Sequence, residues 1–189
     1  MQKAVPVGEG AMAAIIGLDN DAVVELCGEA QKLTNSAVSA ANFNAPGQVV
    51  VAGQAQAVEQ LMQIAKQQGA KMAKRLPMTV PSHCELMRPA AEELMDYLQE
   101  VTLDCPQIPV VHNADVSTHS SADDIRSVLI KQLYSPVRWV ECVKWFIEKG
   151  HSQFIECGPG KVLAGLNKRI DRQVTTQSLS EAGALKTNH

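Results

Sequence analysis

The chain has 189 residues, of which 46% are hydrophobic and 20% are charged, so it belongs to the globular class and has room for one domain or two small ones. The net charge of −3 and the lack of any Lys or Arg run longer than two argue against non-specific nucleic-acid binding. The five cysteines include no C-x-x-C pair, which argues against a disulfide framework and a zinc site. The sequence has no 18-residue apolar run, which argues against a membrane span, so we expect a cytoplasmic protein.

The first part of the chain is expected to alternate strands and helices. Gly10–Leu18 is a strand candidate, and a helix follows a cap at Asp19 or Asn20. Two strands joined at Asn44–Gly47, a helix ended by Gly69 and a last short strand complete the series. The inward helix positions are Val23, Val24, Leu26, Cys27 and Ala30, then Val58, Leu61, Met62 and Ala65. The order strand-helix-strand-strand-helix-strand predicts a ferredoxin-like subdomain over residues 8–78.

The stretch TVPSHCEL, residues 79–86, contains a histidine in an unusual context. Ser82 and Glu85 have the S-x-x-E spacing of a capping box, which would place His83 in the first turn of a helix. The positive end of that helix would favour a neutral ring that can accept a proton. A surface histidine that merely follows a cap is the alternative, since one histidine motif is weak evidence.

Beyond His83, the pattern predicts an α/β arrangement over residues 79–175. A short turn should precede a helix from about Pro89 to Val101, with Leu94, Met95, Leu98 and Val101 inward. Ile108–Asp115 should contain a four-residue apolar strand with polar residues at its carboxyl end, and serines should cap a helix in Ser120–Leu133. Ser135 and Pro136 should start another helix that ends at Gly150, and a strand, a glycine turn and a helix follow to Ile170. Two strands, centred on Val110 and Ile155, are too few for a complete parallel sheet, and residues 176–189 are expected to be a tail.

Several catalytic and binding motifs are missing or incomplete. No serine lies in a G-x-S-x-G context. Cys84 points away from its neighbour His83 and is expected to be buried and inert. Gly158–Lys168 fails the phosphate-loop spacing, which favours a structural turn, although an anionic ligand at the helix start stays open. His112, His119 and His151 lack the spacing of a helical metal site.

Five blocks of the sequence together resemble the bacterial malonyl-CoA:acyl carrier protein transacylase family. They are AVPVGEGAMAAIIGLD, NFNAPGQVVVAG, VPSHCELMRPAAEEL, QLYSPVRW and ECGPGKVLAGLNKRI, in the family's order. The resemblance covers about Gln2 to Ile170. It implies a ferredoxin-like subdomain inserted into an α/β-hydrolase-like acyltransferase domain. It also implies transfer of malonyl from coenzyme A, through a serine ester, to the phosphopantetheine thiol of acyl carrier protein, without a further cofactor or a metal.

The resemblance also implies roles for individual residues. His83 would be the general base, and the backbone carbonyl of Gln132 would orient its ring. The remaining positions would line the substrate cleft between the subdomains: Asn42, Asn44, Gly158 and Gly160.

The chain resembles only the C-terminal three-fifths of that family, because the glycine-glutamine block, the G-H-S-L-G nucleophile elbow and the malonyl-clamping arginine have no counterpart here. We therefore expect no transacylase activity from this chain alone, and a missing N-terminal segment is an expected partner. One alternative is a non-catalytic module that binds acyl carrier protein through Lys71, Lys74 and Arg75. Another is an acyltransferase segment of a larger synthase.

Overall fold

The computed structural model describes residues 1–180, and its first part is built from four strands and two helices. The elements are β1 Gly10–Ile16, α1 Asn20–Thr34, β2 Val38–Ala45, β3 Gln48–Gln54, α2 Ala55–Gln67 and β4 Met72–Arg75. The four strands form one sheet in the order β2-β3-β1-β4, with every neighbouring pair antiparallel. The predicted order of strands and helices is therefore present.

One face of this sheet packs against α1 and α2. Val23, Leu26, Cys27 and Ala30 of α1 are buried, whereas Val24 is 48% exposed, so the prediction for Val24 is wrong. Val24 lies at the border of the apolar stripe, where a period of 3.6 residues turns the side chain out of the interface. The core between the sheet and the helices is made of small and β-branched residues, including Ala11, Ala13, Ile15, Val49, Val51, Val58 and Leu61.

Turn residues end the strands and helices where the sequence predicts. Gly47, at φ +68°, follows Pro46 and closes the hairpin between β2 and β3. Gly69, at φ +89°, follows the end of α2. Met62 is partly buried and packs on the edge of the core.

The opposite face of the sheet carries the rest of the chain. Met12, Ala41, Val50 and Ala52 form a second apolar cluster with Cys84, against which Leu76 and Leu86 also pack. Residues that follow β4 therefore return across the sheet, and the segment around His83 is anchored on it.

The second part of the chain contains short elements. They are a 3-10 helix Glu85–Met87, α3 Arg88–Gln99, β5 Val111–His112, β6 Ser117–Thr118, α4 Ala122–Lys131, α5 Trp139–Glu148, β7 Gln153–Glu156, α6 Val162–Ile170 and β8 Thr175–Ser178. β7 and β8 pair in parallel, and α6 connects them. A Ser121 cap on α4, a split helix near Pro89, and Gly150 at φ +89° after α5 agree with the sequence.

Three sequence predictions for residues 88–170 are wrong. Ile108–Asp115 is not a strand of a parallel sheet: only Val111–His112 is extended, in an antiparallel hairpin with β6, because a short apolar run does not specify its partner strand. Helix α5 begins at Trp139 rather than at Pro136, since Val137 is held in extended pairing with β2.

The third error concerns the inward face of α3. Met95 and Val101 are 42% and 44% exposed, and Ala90 and Ala91 are the buried positions. Leu94 and Leu98 are half-buried, and Arg126 of α4 donates to the carbonyls of Leu98 and Val101, so the contact with α4 leaves the side chains of Met95 and Val101 at the surface.

The end of the chain is more structured than expected. β8 extends into the segment 176–189, so the predicted tail is wrong for residues 176–178, and residues 181–189 lie outside the described part of the chain. None of the helices in residues 1–180 has the length and apolar character needed to cross a membrane.

Candidate active site

His83 lies in a strained turn on the second face of the sheet. Its φ is +64°, a left-handed conformation that non-glycine residues rarely adopt. The predicted capping box is wrong: the 3-10 helix starts at Glu85 after Cys84, without a side-chain cap, and the Glu85 carboxylate binds Arg88 instead. A sharp turn before the helix, rather than a first helical turn, presents the imidazole.

Two groups of His83, the ring Nδ1 and the backbone N–H, form hydrogen bonds at the C-terminal end of helix α4. The ring Nδ1 donates to the backbone carbonyl of Gln132 at 2.8 Å, and the backbone N–H donates to the carbonyl of Leu133 at 3.0 Å. Gln132 is the C-cap of α4 and Leu133 follows it, so no later helical turn supplies donors for their carbonyls and His83 provides one to each. The contact is with the negative end of a helix, opposite in sign to the field expected from the sequence.

Cys84, next to His83, is a structural residue. Its side chain is 3% exposed and its thiol donates to the carbonyl of Pro81 at 3.0 Å. Burial raises the pKa of Cys84 to about 11, so the thiol is protonated at neutral pH and is a poor nucleophile. The prediction that Cys84 is buried is confirmed, and its packing fixes the position of His83.

The short segment after α4 joins His83 to the predicted residues of β2. Val137 donates its N–H to Ala41 at 2.8 Å and accepts from the N–H of Phe43 at 2.9 Å, so it pairs in parallel with Asn42. Leu133 and Val137 are four residues apart and therefore at most about 14 Å apart. Asn42 is paired with Val50, which belongs to the same apolar cluster as Cys84, so Asn42 and the His83 segment lie on the same face of the sheet. Asn44, also half-buried, lies two residues further along β2.

Gly158 and Gly160 lie in the turn between β7 and α6. Gly160 has φ +87°, and its carbonyl accepts from the hydroxyls of Ser178 at 2.7 Å and Ser180 at 3.0 Å. A side chain at Gly158 would meet no atom within 4 Å, so that position is open. In residues 1–180, no hydrogen bond connects either glycine with His83.

The start of α6 is occupied by a carboxylate that the sequence reading missed. Glu156 is 7% exposed, and its two oxygens accept from the backbone N–H groups of Leu163 at 3.0 Å and Ala164 at 2.9 Å. These are the amides that an anionic ligand would need, so the turn is structural and the ligand alternative is not supported.

A cluster of two histidines and an aspartate lies on the hairpin of β5 and β6. His119 Nε2 is 2.8 Å from an Asp115 carboxylate oxygen, and the rings of His112 and His119 are 5.4 Å apart. Burial, then the nearby His119, lowers the pKa of His112. In the described part of the chain, no group of three or more His, Cys, Asp or Glu residues is arranged to hold a metal ion.

Two other cysteine thiols are also buried. Burial raises the pKa of Cys27 to about 12 and that of Cys142 to about 11. Cys105 and Cys157 are exposed, and none of the five forms a disulfide.

A family comparison covers the complete sequence. The model described as "Acyl transferase domain" matches residues 1–189. Among curated relatives, the malonyl CoA-acyl carrier protein transacylase of Escherichia coli K12 is 48% identical over 185 residues, and the one of Bacillus subtilis 168 is 43% identical over 181 residues. The alignments cover 98% and 96% of this chain but only 59% and 57% of those relatives.

Solved structures give the same picture. The malonyl CoA-acyl carrier protein transacylase of Coxiella burnetii superposes with a TM-score of 0.95 at 48% identity, covering 98% of this chain and 58% of that one. A malonyl-transacylase solved in complex with a type II PKS acyl-carrier protein superposes with a TM-score of 0.95 at 47% identity, with 98% and 60% coverage. This sequence therefore spans about three-fifths of its relatives' length. The chain belongs to the acyl transferase domain family, and within it is homologous to bacterial malonyl CoA-acyl carrier protein transacylases.

Proposed function

We propose that this chain supplies the general base of a Ser-His transacylase that moves malonyl from coenzyme A to acyl carrier protein. The observation that carries the proposal is the contact between His83 Nδ1 and the Gln132 carbonyl at 2.8 Å. A carbonyl can only accept, so Nδ1 holds the proton and the lone pair is on Nε2. His83 is half-buried rather than part of the core.

In the first half-reaction, Nε2 takes the proton of a serine hydroxyl as its oxygen attacks the malonyl thioester carbonyl. The carbon–sulfur bond breaks, the coenzyme A thiolate leaves with the proton from Nε2, and a malonyl ester stays on the serine. In the second half-reaction, Nε2 accepts the proton of the phosphopantetheine thiol as its sulfur attacks the ester carbonyl. The carbon–oxygen bond to the serine breaks, the serine oxygen takes the proton back from Nε2, and malonyl leaves as the thioester of acyl carrier protein. The Gln132 carbonyl accepts from Nδ1 throughout, so it holds the ring with Nε2 toward the reacting groups.

The serine must come from outside these 189 residues, since no serine here stands in a G-x-S-x-G context. Loss of a catalytic serine costs on the order of 10⁶ in turnover, because nucleophile and base act as one unit. We therefore propose that the chain alone transfers no malonyl group, and that a serine-bearing N-terminal segment is its partner.

We also propose the two-part fold that the resemblance implies. The β2-β3-β1-β4 sheet with both helices on one face supports a ferredoxin-like subdomain over residues 8–78. The parallel pair of β7 and β8 with α6 between them supports the C-terminal part of an α/β-hydrolase-like domain over residues 79–175. Asn42, Asn44, Gly158 and Gly160 stay proposed cleft residues.

The proposal is tested by complementation. The purified chain is combined with the part of the E. coli relative that it does not cover, and malonyl transfer to acyl carrier protein is measured by mass spectrometry. We expect no product from the chain alone, product from the combination, and a loss of at least about 10³-fold with His83→Gln. Ser82→Ala, one residue away, is the matched control and should retain activity. Turnover by the chain alone, or by the His83→Gln combination, would refute the proposal.

A non-catalytic carrier-protein module is the second candidate. Lys71, Lys74 and Arg75 are exposed on or beside the edge strand β4, although Arg75 is paired with Glu59 at 2.7 Å. An acidic carrier protein would be attracted to this edge. Titration of the chain with acyl carrier protein should then shift the amide signal of Lys74, and Lys74→Glu should abolish the shift. No shift would exclude this module.

A further inference from the structure

Three residues outside the proposed catalytic pair connect the two segments that carry it. The Arg88 guanidinium lies over the Tyr134 ring, with Cζ 4.2 Å from the ring centroid. The same guanidinium donates to both carboxylate oxygens of Glu85, through Nε and, at 3.0 Å, through Nη2. We call Glu85, Arg88 and Tyr134 the Arg88 clasp.

The clasp closes a loop around the contact between His83 and Gln132. Glu85 and Arg88 follow His83 by two and five residues, and Tyr134 follows Gln132 by two. The two segments therefore meet once through His83 and a second time through the clasp. A second contact at a distance from the first limits the relative rotation of the two segments more than the His83 hydrogen bonds do alone. Rotation matters here because a ring hydrogen bond weakens steeply when its angle departs from linear.

The clasp is exposed, so its effect is local. The side chains of Arg88 and Glu85 are 54% and 61% exposed. Exposed ion pairs and cation–π contacts contribute little to global stability. The global fold depends instead on apolar neighbours, since Cys84 and Met87 are buried on either side of Glu85. Loss of the clasp should then loosen the His83 contact and leave unfolding nearly unchanged.

We propose that Glu85, Arg88 and Tyr134 are positioning residues that hold the Gln132 carbonyl in line with the His83 ring and thereby keep the proton on Nδ1. The proposal deepens the proposed function, because it matters for transfer only where His83 is the base. It concerns the state of one ring, however, and that state is measurable in this chain without turnover.

The experiment is histidine side-chain NMR of the ¹⁵N-labelled full chain at a pH where the rings are neutral. The chain has five histidines, and the His83 signals are those that vanish in His83→Gln. We expect Nδ1–H as the main His83 tautomer in the parent. Arg88→Gln should lower the ratio of Nδ1–H to Nε2–H by about fivefold, the factor that one neutral hydrogen bond represents. Arg88→Lys keeps a cation over the ring and should restore part of the ratio.

Glu59→Gln is the matched control, since Glu59 forms a similarly exposed ion pair with Arg75. It should leave the His83 tautomer unchanged. An Arg88→Gln protein with the parent's urea midpoint and the parent's tautomer ratio overturns the proposal, as does an equal loss in the Glu59→Gln control. If Arg88→Gln lowers the urea midpoint, Glu85→Gln replaces it as the test variant, because it leaves both Arg88 and Tyr134 in place. A Glu85→Gln protein with the parent's midpoint and the parent's tautomer ratio then overturns the proposal.

These results are independent of the complementation assay. A fixed Nδ1–H tautomer that depends on Arg88, with no transfer by the complemented enzyme, would reject the proposed function and retain the clasp. If transfer requires His83 but Arg88→Gln leaves the tautomer unchanged, the proposed function is retained and the clasp is rejected.

Discussion

Replacement of His83 by glycine and by alanine separates its backbone strain from its side-chain contact. Both variants lose the hydrogen bond to the Gln132 carbonyl, which costs about 1 kcal/mol of unfolding free energy. Alanine keeps the left-handed conformation at φ +64°, which costs a non-glycine residue about 1–2 kcal/mol. Glycine removes that cost but adds about 0.4–1 kcal/mol of unfolded-chain entropy. His83→Gly should therefore be more stable than His83→Ala by about 0.8 kcal/mol.

The assay is urea unfolding followed by circular dichroism, with both variants analysed at a common m value. Ser82 provides the matched comparison, because it is adjacent but does not have positive φ. There the order should reverse, with Ser82→Gly less stable than Ser82→Ala by about 0.5–1 kcal/mol. An alanine variant at position 83 that equals or exceeds the glycine variant would show that the turn is not strained, and the reasoning would fail.

Further predictions follow from the buried ionisable groups. A thiol reagent should modify Cys105 and Cys157 quickly and the three buried cysteines only after unfolding. The unfolding free energy should fall as pH rises above about 9, because the thiols ionise near pH 9 in the unfolded chain while burial keeps them protonated in the native one. Cys27→Ala should make the fall of unfolding free energy with pH less steep, by up to about 1.4 kcal/mol per pH unit. Because the pKa of His112 is lowered, the parent should lose more stability than His112→Asn when the pH falls from about 7.5 to about 5.5, as measured by urea midpoints; an equal loss would contradict this. Glu156→Gln should lower the unfolding free energy by about 1–2 kcal/mol, while the exposed Glu148→Gln should stay within about 0.5 kcal/mol of the parent.

Local patterns predicted the first part of the chain well. The apolar stripe around Leu26 and Cys27, and the Pro46-Gly47 turn, depend on near neighbours in sequence, so the residues themselves specify the result. Val24 failed because periodicity locates a stripe more accurately than its border.

The second part depended on contacts between distant residues. Val137 is extended because it pairs with β2, almost one hundred residues earlier, and no local signal at Ser135-Pro136 indicates this. Ile108 and Val110 are apolar but 79% and 51% exposed, so hydrophobicity alone gave a false strand.

The sequence motif and the family resemblance proposed which residues form the candidate site, but they did not predict how those residues are arranged. The capping box failed because Glu85 binds Arg88 three residues ahead instead of the backbone behind it. An i, i+3 Glu-Arg spacing could have indicated that pair. The ring of Tyr134, and the Glu156 carboxylate on α6, are brought to their partners by the fold and had no sequence signal.

The short connection from Gln132 to Val137 is fixed at both ends, by His83 at one and by β2 at the other. A change in the length of this connection is therefore felt at one or both of its attachments. Residues inserted between Tyr134 and Pro136 would have to bulge outward or displace Val137 from its pairing with Asn42, whereas Asn42 itself is held in place by β3. An epitope or fluorescent label belongs instead in the exposed connection of residues 102–110, where the chain has length to spare.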